Sequence, residues 1–85
     1  MARVEVYTTP SCPYCLRAKR LLTERGIAYD EFDVADDVEL RTRVTERSGR
    51  RTVPLIFVDG QSVGGFDELV ALDASGGLAA LTRAS

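Results

Sequence analysis

With 85 residues the chain is long enough for one domain, expected over residues 1–85, and too short for two. Apolar residues make up 45% and charged residues 28%, the profile of a globular domain in water, and the net charge of −2 gives no electrostatic case for binding nucleic acid or an anionic membrane. The absence of histidine excludes an imidazole general base, and two cysteines are too few for a single-chain zinc site, so no metal is expected.

Met1, Ala2 and Arg3 lead straight into Val4-Glu5-Val6-Tyr7 without the apolar run of a signal peptide, and no stretch approaches the roughly 20 apolar residues of a membrane span. The expected location is therefore the cytoplasm, where a close cysteine pair is catalytic or metal-binding rather than structural.

Residues 3–8 alternate and read as a strand, broken by Thr9-Pro10-Ser11. A helix follows, with Cys12 near its N-cap and Pro13 in its first turn, where a missing N–H does no harm. Leu16, Leu21 and Leu22 are expected on its apolar side, and Gly26 is the expected stop. Residues 27–33 read as a second strand, placed at a sheet edge by its acids. Asp36 and Glu39 form a D-x-x-E capping pattern for a helix over 37–47, ended by Gly49. Leu55-Ile56-Phe57-Val58 is a short buried strand, and Asp59-Gly60 a hairpin signal leading to a strand over 61–63. Gly64-Gly65 then opens a helix over 66–73, and a last helix spans 77–82. The order β-α-β-α-β-β-α-α is an α/β arrangement: a mixed four-stranded sheet flanked by helices, the pattern of the thioredoxin fold.

Three segments carry chemistry. Cys12 and Cys15 bracket the first turn of a helix, where unpartnered N–H groups and the helix dipole favour an anion. Cys12 should therefore ionise below the usual thiol range and act as nucleophile. Cys15, one turn on, can attack Cys12 and resolve a mixed disulfide. Lys19 and Arg17 stand nearby in sequence, with directions the sequence leaves open. Thr52-Val53-Pro54 before an apolar strand is a candidate cis-proline turn that would present the Val53 backbone to an extended peptide. Gly64-Gly65-Phe66-Asp67 lets a ligand approach the backbone at a helix N-terminus, with Asp67 placed for an ammonium group. Arg41, Arg50 and Arg51 are candidates for a second carboxylate, Arg50 being read as a solvated helix-end residue.

Together YTTPSCPYC at 7–15, RSGRRTVPLIFVDG at 47–60 and VGGFDEL at 63–69 resemble the glutaredoxins, in particular the small bacterial dithiol kind. The resemblance implies reduction of protein disulfides and glutathione mixed disulfides, with glutathione as reducing co-substrate, no bound cofactor and a monomer. It implies Cys12 as nucleophile and Cys15 as resolving thiol, with Tyr14, Thr52, Val53, cis-Pro54 and Gly65 around glutathione and the Phe66 backbone and Asp67 side chain on its γ-glutamyl carboxylate and ammonium. Arg41 and Arg51 fall where the family places polar or basic groups near the glycyl carboxylate. Thr9 stands where the family often has lysine. The competing readings are a redoxin of the same fold served by thioredoxin reductase, and a homodimer binding a metal or iron–sulfur cluster.

Overall fold

The computed structural model describes residues 3–84; Met1, Ala2 and Ser85, which the single-domain expectation includes, lie outside them. In chain order the elements are β1 (Val4–Thr8), α1 (Pro13–Glu24), β2 (Asp30–Asp33), α2 (Val38–Ser48), β3 (Leu55–Val58), β4 (Gln61–Gly64), α3 (Phe66–Ala74) and α4 (Gly77–Ala84). The strands form one sheet in the order β2-β1-β3-β4. β1 pairs parallel with β2 and antiparallel with β3, and β3 pairs antiparallel with β4. This is the mixed four-stranded sheet that the element order predicts.

Because strand side chains alternate between faces, the sheet sorts its residues into two cores. Val4, Val6 and Ile56 point to the side covered by Ala18 and Leu22 of α1, Leu69 of α3 and Leu78 of α4. Tyr7, Leu55 and Phe57 point the other way and meet Val34 and Val44, the latter from α2. The sheet is thus sandwiched between helices. No described helix is long and apolar enough to cross a membrane.

Strand β2 is an edge, and its Asp30, Glu31 and Asp33 deter pairing with another chain. The β3–β4 hairpin turns on Asp59 (φ 51°) and Gly60 (φ 84°), the pair of positive φ values that a tight two-residue connection requires. Helix α2 ends on Gly49, as expected.

Three expectations need correction. The N-cap of α2 is Asp37, whose carboxylate accepts from the Leu40 N–H at 3.0 Å; the Asp36–Glu39 pattern is therefore one residue out of register. Leu16 is 59% exposed, and the buried stripe of α1 is Cys15, Ala18 and Leu22. These follow the i, i+3, i+7 spacing of one helix face, whereas Leu16 lies a further 100° round. Ile27 is buried but precedes β2: its N–H donates to the Leu22 carbonyl at 2.9 Å, which commits it to the end of α1.

The Glu31 carboxylate accepts from Lys19 Nζ and from Thr8 Oγ1, each at 2.9 Å, and so ties α1 to both β1 and β2. The Lys19 hydrogen bond, helped by Thr8, holds the Glu31 carboxyl below the usual glutamate range against the opposing effect of burial. A carboxyl depressed by folding stabilises above its unfolded-state pKa, and that stabilisation disappears as pH falls through the folded value. Glu31→Gln should therefore lower the melting temperature near neutral pH, and the deficit should vanish under acid. Both partners are partly exposed, so screening limits the effect to less than about 1 kcal/mol. A deficit unchanged between about pH 7 and pH 3 would show that the charge plays no part.

Candidate active site

Loop 9–12 carries the chain from β1 to α1 and leaves Cys12 as N-cap, with extended backbone (φ −110°, ψ 104°) and Pro13 opening the helix. The Cys12 Sγ accepts from the Cys15 N–H at 3.0 Å, the interaction an N-cap side chain makes with the free amides of a first turn. The two sulfurs are joined as a disulfide, with Cα atoms 5.1 Å apart. Their exposures differ: Cys12 retains 9% and Cys15 only 1%. A substrate sulfur arriving from solvent therefore meets Cys12 first.

Across from the disulfide, the Val53–Pro54 bond is cis. The Val53 carbonyl oxygen lies 3.7 Å from Cys12 Sγ, so the loop before β3 forms the opposite wall. Beside it lies a cavity of about 380 Å3. Of the residues expected to hold a ligand, Tyr14, Thr52, Val53, Pro54, Gly65, Phe66 and Asp67 all line it. Tyr14 is half-exposed and leans on Phe66 with ring centroids 6.0 Å apart, while the Arg17 guanidinium covers its ring at 5.2 Å. Among the described residues the Asp67 carboxylate has no ion pair or hydrogen bond, so it is open to a ligand cation.

Arg41 and Arg51 are not brought to this cavity. They line a separate one of about 630 Å3, shared with Val34 and Val38, where Arg41 Nη2 donates to the Arg51 carbonyl at 3.4 Å. Lys19 is engaged with Glu31 and Arg17 with Tyr14, which resolves the directions left open.

Sequence reasoning missed Glu68 as a lining residue, and it set Arg50 aside as a solvated helix-end residue although Arg50 lines the cavity too. Glu68 folds back over the start of α3, where its Oε1 accepts from the Gly65 N–H at 2.8 Å and from Arg50 Nη1 at 2.7 Å. The Gly65 N–H, followed by the Arg50 guanidinium, holds the Glu68 carboxyl below its usual range. Gly64 makes the fold-back possible: its φ is +118°, and a Cβ there would stand 2.8 Å from Glu68 Cγ. The legible signal was the N3 position of Glu68, the reach-back place of a capping box; for Arg50 there was none.

A dithiol at a helix N-terminus, facing the backbone carbonyl of a residue that lines an open cavity, is suited to exchange with disulfides. Comparison with known proteins agrees. The glutaredoxin family model matches residues 4–63. Glutaredoxin 3 of Escherichia coli (strain K12) is 49% identical over 83 residues, which span 98% of this chain and all of that protein. The solution structure of glutaredoxin from Brucella melitensis superposes with a TM-score of 0.84 at 48% identity, covering 95% of this chain and 88% of that one. The crystal structure of a buckwheat glutaredoxin–glutathione complex superposes at 0.82 with 26% identity, covering 89% of this chain and 72% of that one. The chain belongs to the glutaredoxin family of thiol–disulfide oxidoreductases, and Cys12 and Cys15 are its dithiol pair.

Proposed function

We propose that the chain reduces protein disulfides and glutathione mixed disulfides at Cys12, with glutathione as electron donor, and works as a monomeric single domain in the cytoplasm. The observation that carries this reading is the Cys12 sulfur, which accepts the Cys15 N–H and lies 3.7 Å from the carbonyl of Val53, a wall of the cavity into which the Asp67 carboxylate opens.

The Cys12 thiolate attacks one sulfur of a substrate disulfide, forms a mixed disulfide and expels the other sulfur as thiolate. The α1 amides favour the attacking anion. The Cys15 thiolate then attacks Cys12 Sγ, releases the second substrate thiolate and leaves the Cys12–Cys15 disulfide. One glutathione thiolate opens that disulfide at Cys12. A second attacks the resulting mixed disulfide, releases glutathione disulfide and restores both thiols, so two electrons enter and two leave.

Glutathione is an extended tripeptide with an ammonium and two carboxylates. The Val53 backbone suits its middle residue, Tyr14 flanks its sulfur, and Thr52, Pro54, Gly65 and Phe66 complete the walls. Asp67 suits the ammonium of the γ-glutamyl end. The glycyl carboxylate, at the far end of the tripeptide, is assigned to Arg41 and Arg51 beyond the cavity. The buckwheat relative, solved with glutathione, supports the ligand class. A dithiol that must return to the reduced state supports a reducing compartment.

The test is reduction of a small glutathione mixed disulfide, coupled first to glutathione with glutathione reductase and then to thioredoxin reductase. Turnover is expected with glutathione; turnover with thioredoxin reductase alone would end the reading. Asp67→Ala should raise the KM for glutathione about tenfold, the scale of one lost charge-assisted hydrogen bond, with the melting temperature little changed. An unchanged KM would reduce Asp67 to a first-turn acid.

A further inference from the structure

The ionic side chains of the 380 Å3 cavity are Arg50, Asp67 and Glu68, one cation and two anions. An α-amino acid head, the γ-glutamyl end of the proposed ligand, carries one ammonium and one carboxylate. Two unopposed acids would suit the ammonium and repel the carboxylate. The arrangement removes that conflict. Glu68 is occupied twice, by the Gly65 N–H and by Arg50 Nη1, so its charge is answered within the protein. Asp67 is left as the open anion. Arg50 gives one N–H to Glu68, and a guanidinium has five. Its Nη1 stands 3.5 Å from where a Gly65 Cβ would be, which puts it against the backbone at the start of α3. The side chain is 43% exposed, so its remaining donors are open to a ligand.

We propose that Arg50, anchored by Glu68, is the specificity-determining cation of the cavity: it joins the Phe66 backbone in taking the α-carboxylate of a γ-glutamyl group while Asp67 takes the ammonium. This deepens, and rests on, the glutathione reading. It makes Gly64 part of the device, because only a residue without a Cβ there lets Glu68 fold back to hold Arg50. Arg50 thereby distinguishes thiols with a zwitterionic γ-glutamyl head from shorter thiols that share the cysteinyl and glycyl parts.

The experiment compares two mixed disulfides of one small thiol, one with glutathione and one with cysteinylglycine, which lacks the γ-glutamyl group. The quantity read is the ratio of their kcat/KM values, which reports the first half-reaction only. In the parent enzyme the glutathionyl substrate should be preferred. Arg50→Ala should cut that preference roughly tenfold, and Arg50→Lys, which keeps the charge but not the fork, should fall between. Thermal unfolding of both variants checks that each is folded. A preference unchanged in Arg50→Ala, or kcat/KM lowered equally for both substrates, overturns the assignment of Arg50. A parent enzyme with no preference would instead overturn the glutathione reading of the cavity, and Arg50 with it.

Discussion

Replacing Cys12 with serine should abolish all thiol–disulfide exchange, while Cys15→Ser should lose reduction of protein disulfides and keep removal of glutathione from mixed disulfides. The asymmetry follows from position. Cys12 is the N-cap, receives the Cys15 N–H and is the more exposed sulfur. No accessible sulfur nucleophile remains once it is gone, because the one other cysteine, Cys15, is 1% exposed. The rate for Cys12→Ser should therefore fall to that of glutathione alone in solution. Cys15 matters only where the mixed disulfide must be resolved from within. Free glutathione does the same work on a glutathionylated Cys12, so one of the two activities survives. Both activities measured on both variants settle the roles. An active Cys12→Ser with a dead Cys15→Ser would reverse them. Alkylation offers a separate check: in the reduced protein Cys12 should react faster at neutral pH than an ordinary free thiol.

The second large effect is on stability. Phe57→Ala should lower the unfolding free energy by about 3–5 kcal/mol, against the roughly 5–15 kcal/mol of a typical domain. Phe57 is 1% exposed at the centre of the core between the sheet and α2. Tyr7 meets it edge-on with centroids 5.5 Å apart, and the Arg47 guanidinium lies over its ring at 4.4 Å while donating to the Gly60 carbonyl. Truncation removes the ring and leaves a cavity that two sheet strands and a helix cannot collapse into. It also strips Arg47 of its cation–π partner, loosening the end of α2 from the hairpin. Chemical denaturation of the variant measures the loss. A change below about 1 kcal/mol would show that Tyr7 and Leu55 refill the space.

The stability and the chemistry share one frame. Strand β3 carries Phe57 into one core and Ile56 into the other, and it continues directly from the Val53–Pro54 wall that faces Cys12. Packing of β3 therefore sets where the Val53 carbonyl sits relative to the sulfur.

What the sequence by itself determined is what neighbouring residues decide. The dithiol at a strand-to-helix junction, the Asp59-Gly60 hairpin, the Gly49 stop and the order of elements depend on capping, turn and alternation rules that act over two to five residues. The same shortness of range explains the small errors: Asp36 and Asp37 are equally good caps on paper, and only the helix start at Val38 separates them. The tertiary structure alone decided where the long charged side chains went. Lys19 chose Glu31, twelve residues away, and Arg50 chose Glu68, eighteen away, while Arg41 and Arg51 went to a different cavity. A flexible cation several ångströms long has many acids within reach in a chain with thirteen of them. Which one it meets is settled by the sheet and helices that fix its Cα, and no local pattern encodes that choice.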